Sequence, residues 1–230
     1  MSQEPLPRAG RAAIRRSILT ILQDAALAYD RYGDHNSDLR DAPEYLVTVS
    51  LAQGLTEKFP MLMYRLEHHA SAFDQTSRSA IDARAAVGKD AARFDIVLLN
   101  RHNNVPRCII EVKRGPKIAE DARRIISIAA LQFGRPRWRH GYLVTILRRT
   151  EDEANRLVDE LTESIRGSRD TITGSIAGHQ EVKVAVEFKQ LGRKLRQPGH
   201  IQLYGVVFHI ALVDRATAIE DFEVGVQDLS

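Results

Sequence analysis

The chain has one cysteine, Cys108, and one tryptophan, Trp138. A single cysteine excludes an intrachain disulfide and any zinc site built on cysteines. No apolar run approaches the ~20 residues that a transmembrane helix needs. The opening stretch, MSQEPLPRAGRAAIRR, carries charges with no apolar signal core behind them. The expectation is a soluble cytoplasmic protein with no membrane partner. Repeats at solenoid spacing and long low-complexity runs are also missing. So are the GxxxxGKS/T, GxGxxG, GxSxG and HExxH motifs. Nucleotide-driven motors, Rossmann cofactor enzymes, serine hydrolases and zincins thereby lose their main sequence support.

What is present is enough for a globular core. Hydrophobic residues make up 43% of the 230 positions and charged residues 27%, so one or two domains can fold without a covalent staple. The net charge is only +3, but it is unevenly spread. Residues 101–150 hold twelve Lys or Arg against Glu111, Glu120 and Asp121, a local +9 that leaves −6 for the remainder. A basic middle between acidic flanks suits a phosphate-bearing partner, and the alternative is a solvated basic surface.

Periodicity divides the chain into elements. Residues 10–32 read as an amphipathic helix with Ile14, Ile18, Ile21, Leu22 and Ala25 inward. A second helix is expected over 42–59, with Pro43 in its first turn, Pro60 as its stop and Val47, Leu51, Leu55 and Phe59 on one face. Residues 61–69 read as a strand and 70–92 as a long connection holding a short helix. Strands follow at 93–100 and 105–114, joined by a turn whose asparagines tolerate positive φ. A helix over 117–133 turns Ile118, Ala122, Ile125, Ile126 and Ala129 inward. YLVTIL (142–147) reads as a buried central strand, and 150–166 as an acidic helix with Leu157, Leu161 and Ile165 inward. Strands are expected at 181–188 and 201–213. This is an α/β layout: a mixed sheet flanked by helices.

Three residues carry chemistry. Glu111 and Lys113 lie two apart on one strand and so share a face. If the preceding turn centres near Asn103, Asp95 lies directly across the hairpin from Glu111. Cross-strand Cβ atoms are ~5 Å apart, and two carboxylates so close repel. A hard divalent cation relieves that repulsion, and Mg²⁺ typically takes one or two protein carboxylates while keeping several waters. Lys113 beside the pair can orient or deprotonate water, or stabilise charge on a phosphate. The alternative is a structural ion pair at the rim of the sheet.

A strand ending in an acid, a hairpin, and apolar residues running into Glu-x-Lys resembles the PD-(D/E)xK nuclease superfamily. Here the pattern is Phe94-Asp95, then Glu111-Val112-Lys113, with Phe94 where the name-giving proline would stand. The resemblance implies a restriction-endonuclease-like mixed sheet, to which the strands read from periodicity at 181–188 and 201–213 are extra C-terminal strands. It also implies Mg²⁺-dependent hydrolysis of DNA, with Mn²⁺ as substitute and Asp95 and Glu111 as metal ligands. The family often adds an acid from the helix before the first strand; Glu44 matches it and could hold a metal-bound water. Glu67 is a rival fourth acid, and Gln132 is the nearest match to a polar residue on the helix after Glu-x-Lys. A nuclease core is thus expected over 41–166, preceded by a helical extension (1–40) and followed by a β-rich extension (167–230). That last part extends the sheet, forms a homodimer surface or recognises substrate.

The stretch from Arg135 to His140 sets Trp138 among Arg135, Arg137 and Arg139, which suits phosphate gripping with stacking on a base or ribose. Its alternative is a solvated loop. Arg123 and Arg124 raise the same question. Two further readings compete with a nuclease: a non-catalytic nucleic-acid-binding or assembly module on the same fold, and an α/β protein whose Glu-x-Lys arose by chance.

Overall fold

The computed structural model describes residues 9–32, 38–69, 93–130, 140–171, 180–192 and 200–214. The 70–92 connection, Gln132, Arg135, Arg137, Trp138 and Arg139 lie outside the described residues. In chain order the elements are α1 (Arg11–Tyr32), α2 (Glu44–Lys58), β1 (Leu62–His69), β2 (Arg93–Asn100), β3 (Pro106–Lys113), α3 (Ala119–Ala130), β4 (His140–Arg149), α4 (Glu151–Thr171), β5 (Gln180–Leu191) and β6 (Gln202–Asp214). Among the described residues, no helix is long and apolar enough to cross a membrane.

The strands form one six-stranded mixed sheet in the order β1-β2-β3-β4-β6-β5. Among the described residues, only β3 and β4 pair in parallel, as expected of strands joined by a crossover helix, here α3. The apolar residues of each strand divide between two cores. On one side Ile96, Leu98, Cys108, Ile110, Val112, Tyr142 and Val144 pack with α1 and α2. On the other, Val97, Leu99, Ile109, Leu143, Val206 and Phe208 pack with α3 and α4. This period-two division gives a three-layer α/β/α arrangement.

The C-terminal strands extend the sheet rather than standing apart from it. β6 pairs with β4 from His140↔Ala211 to Arg149↔Gln202. This doubly covered position explains why both strands read as nearly continuous apolar runs. α1 lies over β5 and β6.

The stop of α2 is as predicted, while α4 runs to Thr171, five residues past its expected end at 166. Pro43 takes the N-cap of α2 rather than a place in its first turn, and Phe59 its C-cap before Pro60. The buried face of α1 differs from the apolar stripe. Arg15 and Ser17 are buried beside Ile14, Ile18 and Leu22, while Ile21 and Ala25 are only partly buried. Both polar groups have partners: Arg15 pairs with Glu187 of β5, and the Ser17 hydroxyl donates to Ala13 O. The seating of α3 on the sheet depends on Gly141, where a Cβ would lie 2.9 Å from Ile109 Cγ1 and from Ile125 Cγ2.

Candidate active site

The β2–β3 hairpin runs through Ile96↔Ile110, Val97↔Ile109 and Leu98↔Cys108, then slips at a bulge between Leu98 and Leu99. Continued one residue away from the turn, this register sets Asp95 opposite Glu111, as the sequence predicts. The bulge falls on the turn side of the ladder and leaves the acid pair unshifted. Asn104 in the turn has φ 55°, the left-handed backbone that asparagine tolerates. Asp95 Oδ2 accepts a hydrogen bond from the Val112 N–H at 2.7 Å, which ties its carboxylate to β3.

Lys113 ends β3. Its Nζ lies 4.0 Å from Glu44 Oε1, at the start of α2, and 3.9 Å from Asp121 Oδ1, in the first turn of α3. The structure therefore brings all four predicted residues, Glu44, Asp95, Glu111 and Lys113, into one cluster. Glu67, the rival fourth acid, is exposed with φ 49°, and the β1–β2 register skips it between Leu66↔Ile96 and His68↔Phe94, level with Asp95.

Two members were not predicted. Asp121 counted only as an acid in a basic stretch, and Arg124 only as a phosphate contact. Arg124 Nη1 donates to Asp121 Oδ1 at 3.0 Å, and Nη2 donates to Arg93 O at 2.6 Å. Nη2 also lies 3.1 Å from Glu111 Oε1, an ionic contact without hydrogen-bond alignment. The guanidinium sits 5.6 Å from the centre of the Phe94 ring. The available signal was an Asp-x-x-Arg pair bordering the apolar stripe of the helix that follows Glu-x-Lys. Arg123, its neighbour, is exposed and bonds back to Ala119 O.

Electrostatics sets the protonation states. Glu111 is 1% exposed, and its pKa is pushed up to about 9. Burial is the largest cause, Asp95 adds repulsion, and Arg124 only partly offsets both. Burial also raises Asp121, against the pull of Lys113 and Arg124. Burial works against the Lys113 ammonium, but the surrounding acids, Asp121 first, outweigh it and its pKa is raised. The surrounding acids therefore favour the ammonium form of Lys113. Cys108 on the same strand is buried and its thiol is pushed up to about 12 by burial, which makes it a poor nucleophile.

Among the described residues the cluster holds four acids against two bases, a formal excess of negative charge. Among the described residues, no group of three or more His, Cys, Asp or Glu is arranged to hold a metal ion. A cation here would rest on two carboxylates, with water or substrate completing its shell. No family model, curated protein or solved structure matches the chain.

Proposed function

We propose that this chain is a metal-dependent nuclease of the PD-(D/E)xK type, on a restriction-endonuclease-like fold, that hydrolyses phosphodiester bonds of DNA. The supporting observation is the juxtaposition of Asp95 and Glu111 on adjacent strands, with Lys113 beside them and negative charge in excess. The donor set suits Mg²⁺, or Mn²⁺ in its place, because both acids offer hard oxygen ligands. Bound by Asp95 and Glu111, the ion would polarise a phosphate oxygen and acidify a water. Lys113, kept as an ammonium, would stabilise negative charge growing on the phosphate. Glu44 would orient Lys113 and water on the α2 side.

A second reading, a non-catalytic nucleic-acid-binding module on the same fold, draws support from Arg124, which already supplies Glu111 with positive charge. Incubation with plasmid and linear DNA in Mg²⁺, Mn²⁺ or EDTA separates the two. We expect metal-dependent cleavage, reduced by ~100-fold or more in Lys113→Ala while fold and DNA binding persist. We also expect calorimetry to detect Mn²⁺ binding by the wild type and none by Asp95→Ala. DNA binding with neither cleavage nor metal uptake would favour the second reading.

A further inference from the structure

We propose that Arg40, Arg114 and Arg148 form a rim that holds the phosphates of duplex DNA, a reading that rests on the nuclease function above. The acid cluster carries excess negative charge and by itself repels a phosphate backbone. Cations outside it must hold the substrate. β3 and β4 run in parallel, with Lys113 paired to Thr145, so their C-terminal ends open on the same side of the sheet. In open α/β sheets that side takes the ligand.

The short segment 38–42 gathers three guanidinium groups there. Arg114 directly follows Lys113 and is exposed; its Nη1 donates to Ala42 O at 2.8 Å. Its own carbonyl accepts the Nε–H of Arg40 at 3.4 Å. Arg148, near the end of β4 with its side chain 52% exposed, places Nε 3.6 Å from Asp38 Oδ2. Asp38 and Asp41 are partly occupied within the turn: Asp41 Oδ2 accepts the Asp38 N–H at 3.1 Å, and Asp38 Oδ1 accepts the Arg40 N–H at 2.9 Å. Each guanidinium has five N–H donors, and among the described residues these bonds leave most of them for phosphate oxygens. Two residues on, through Pro43, the same segment delivers Glu44 to Lys113. The rim is therefore continuous with the proposed site.

Fluorescence anisotropy with a labelled duplex in EDTA, at several salt concentrations, tests this. The variant Arg40→Gln/Arg114→Gln/Arg148→Gln should bind about tenfold more weakly or worse at low salt. Its log–log salt slope should become shallower by about 0.9 for each phosphate that the rim no longer neutralises. A control with the same charge change elsewhere, Arg16→Gln/Arg31→Gln/Arg166→Gln, should keep the wild-type slope. Because Arg114 also ties down Ala42, Arg148→Gln alone gives a second readout, with a slope shallower by about 0.9, the share of one phosphate. An unchanged slope in both rim variants, or equal flattening in the control, overturns the rim. If wild type still cleaves DNA with Mg²⁺, that result leaves the nuclease reading standing. No duplex binding by wild type at low salt overturns both.

Discussion

Arg124 Nη2 lies 3.1 Å from Glu111 Oε1, yet Glu111 still has its pKa pushed up to about 9. One partly exposed guanidinium, shared with Asp121 and the Arg93 carbonyl, does not offset burial plus the Asp95 charge. Burial and the Asp95 charge therefore favour a protonated Glu111 near neutral pH.

A stability prediction follows from that proton. Glu111 binds its proton up to about pH 9 when folded but only up to its ordinary value of 4.5 when unfolded. Between those limits the folded state carries the extra proton. Its stabilising contribution is fully present below pH 4.5 and fades as pH rises, by up to about 1.4 kcal/mol per unit. Glu111→Gln resembles the protonated carboxyl and cannot lose the proton. In EDTA, it should gain roughly 2 kcal/mol on wild type between mildly acidic and mildly alkaline buffer. Urea unfolding at the two pH values measures this. A difference between the proteins that does not change with pH would mean that Glu111 is ionised in the fold.

The hairpin and its acids were legible in the sequence because their causes are local. Two apolar strands and a polar turn fix the centre of the hairpin, and the period of two carries Asp95 to Glu111 and sets Lys113 beside it. Asp121 and Arg124 were not legible as site members. Their place depends on how the crossover lays α3 over β4 and β6, which follows from tertiary packing at Gly141 and the isoleucines around it. The position of β6 next to β4 was equally hidden, since a continuous apolar run marks a central strand without naming its neighbours. Arg15 shows the same limit on α1: an arginine beside an apolar stripe reads as a solvated edge unless Glu187, at 172 residues' separation, is known to face it.

His209 offers a second pH dependence, away from the site. It pairs across the ladder with Tyr142, stacks on its ring at 4.9 Å and meets the edge of His140 at 5.1 Å. Burial, then His140 and the nearby Arg15 and Arg11, lowers its pKa from 6.5 to about 2. The unfolded state takes up this proton first, so stability is full above pH 6.5 and is lost as the solution is acidified toward the folded value. This one group costs up to about 1.4 kcal/mol per pH unit. His209→Phe keeps an aromatic ring against Tyr142 and removes the proton site. Its unfolding free energy should fall less steeply than wild type on mild acidification; an identical slope would clear His209 of the effect.

The last prediction concerns the pair that fastens α1 to β5. Arg15 Nε lies 2.5 Å from Glu187 Oε1, and the side chains are 5% and 15% exposed. Arg15 Nη1 is also buried, with no hydrogen-bond partner among the described residues. A pair this dry has given up much of its hydration, so its net contribution is small although each partner depends on the other. Removing one half strands the other charge. Arg15→Ala or Glu187→Ala should each cost about 3–5 kcal/mol. Arg15→Met combined with Glu187→Leu should be close to neutral, because the apolar pair needs no hydration and fills similar space. Urea unfolding of the two single alanine variants and the apolar double variant checks both statements. Single substitutions costing under about 1 kcal/mol would mean that water reaches the pair and screens it as at an open surface.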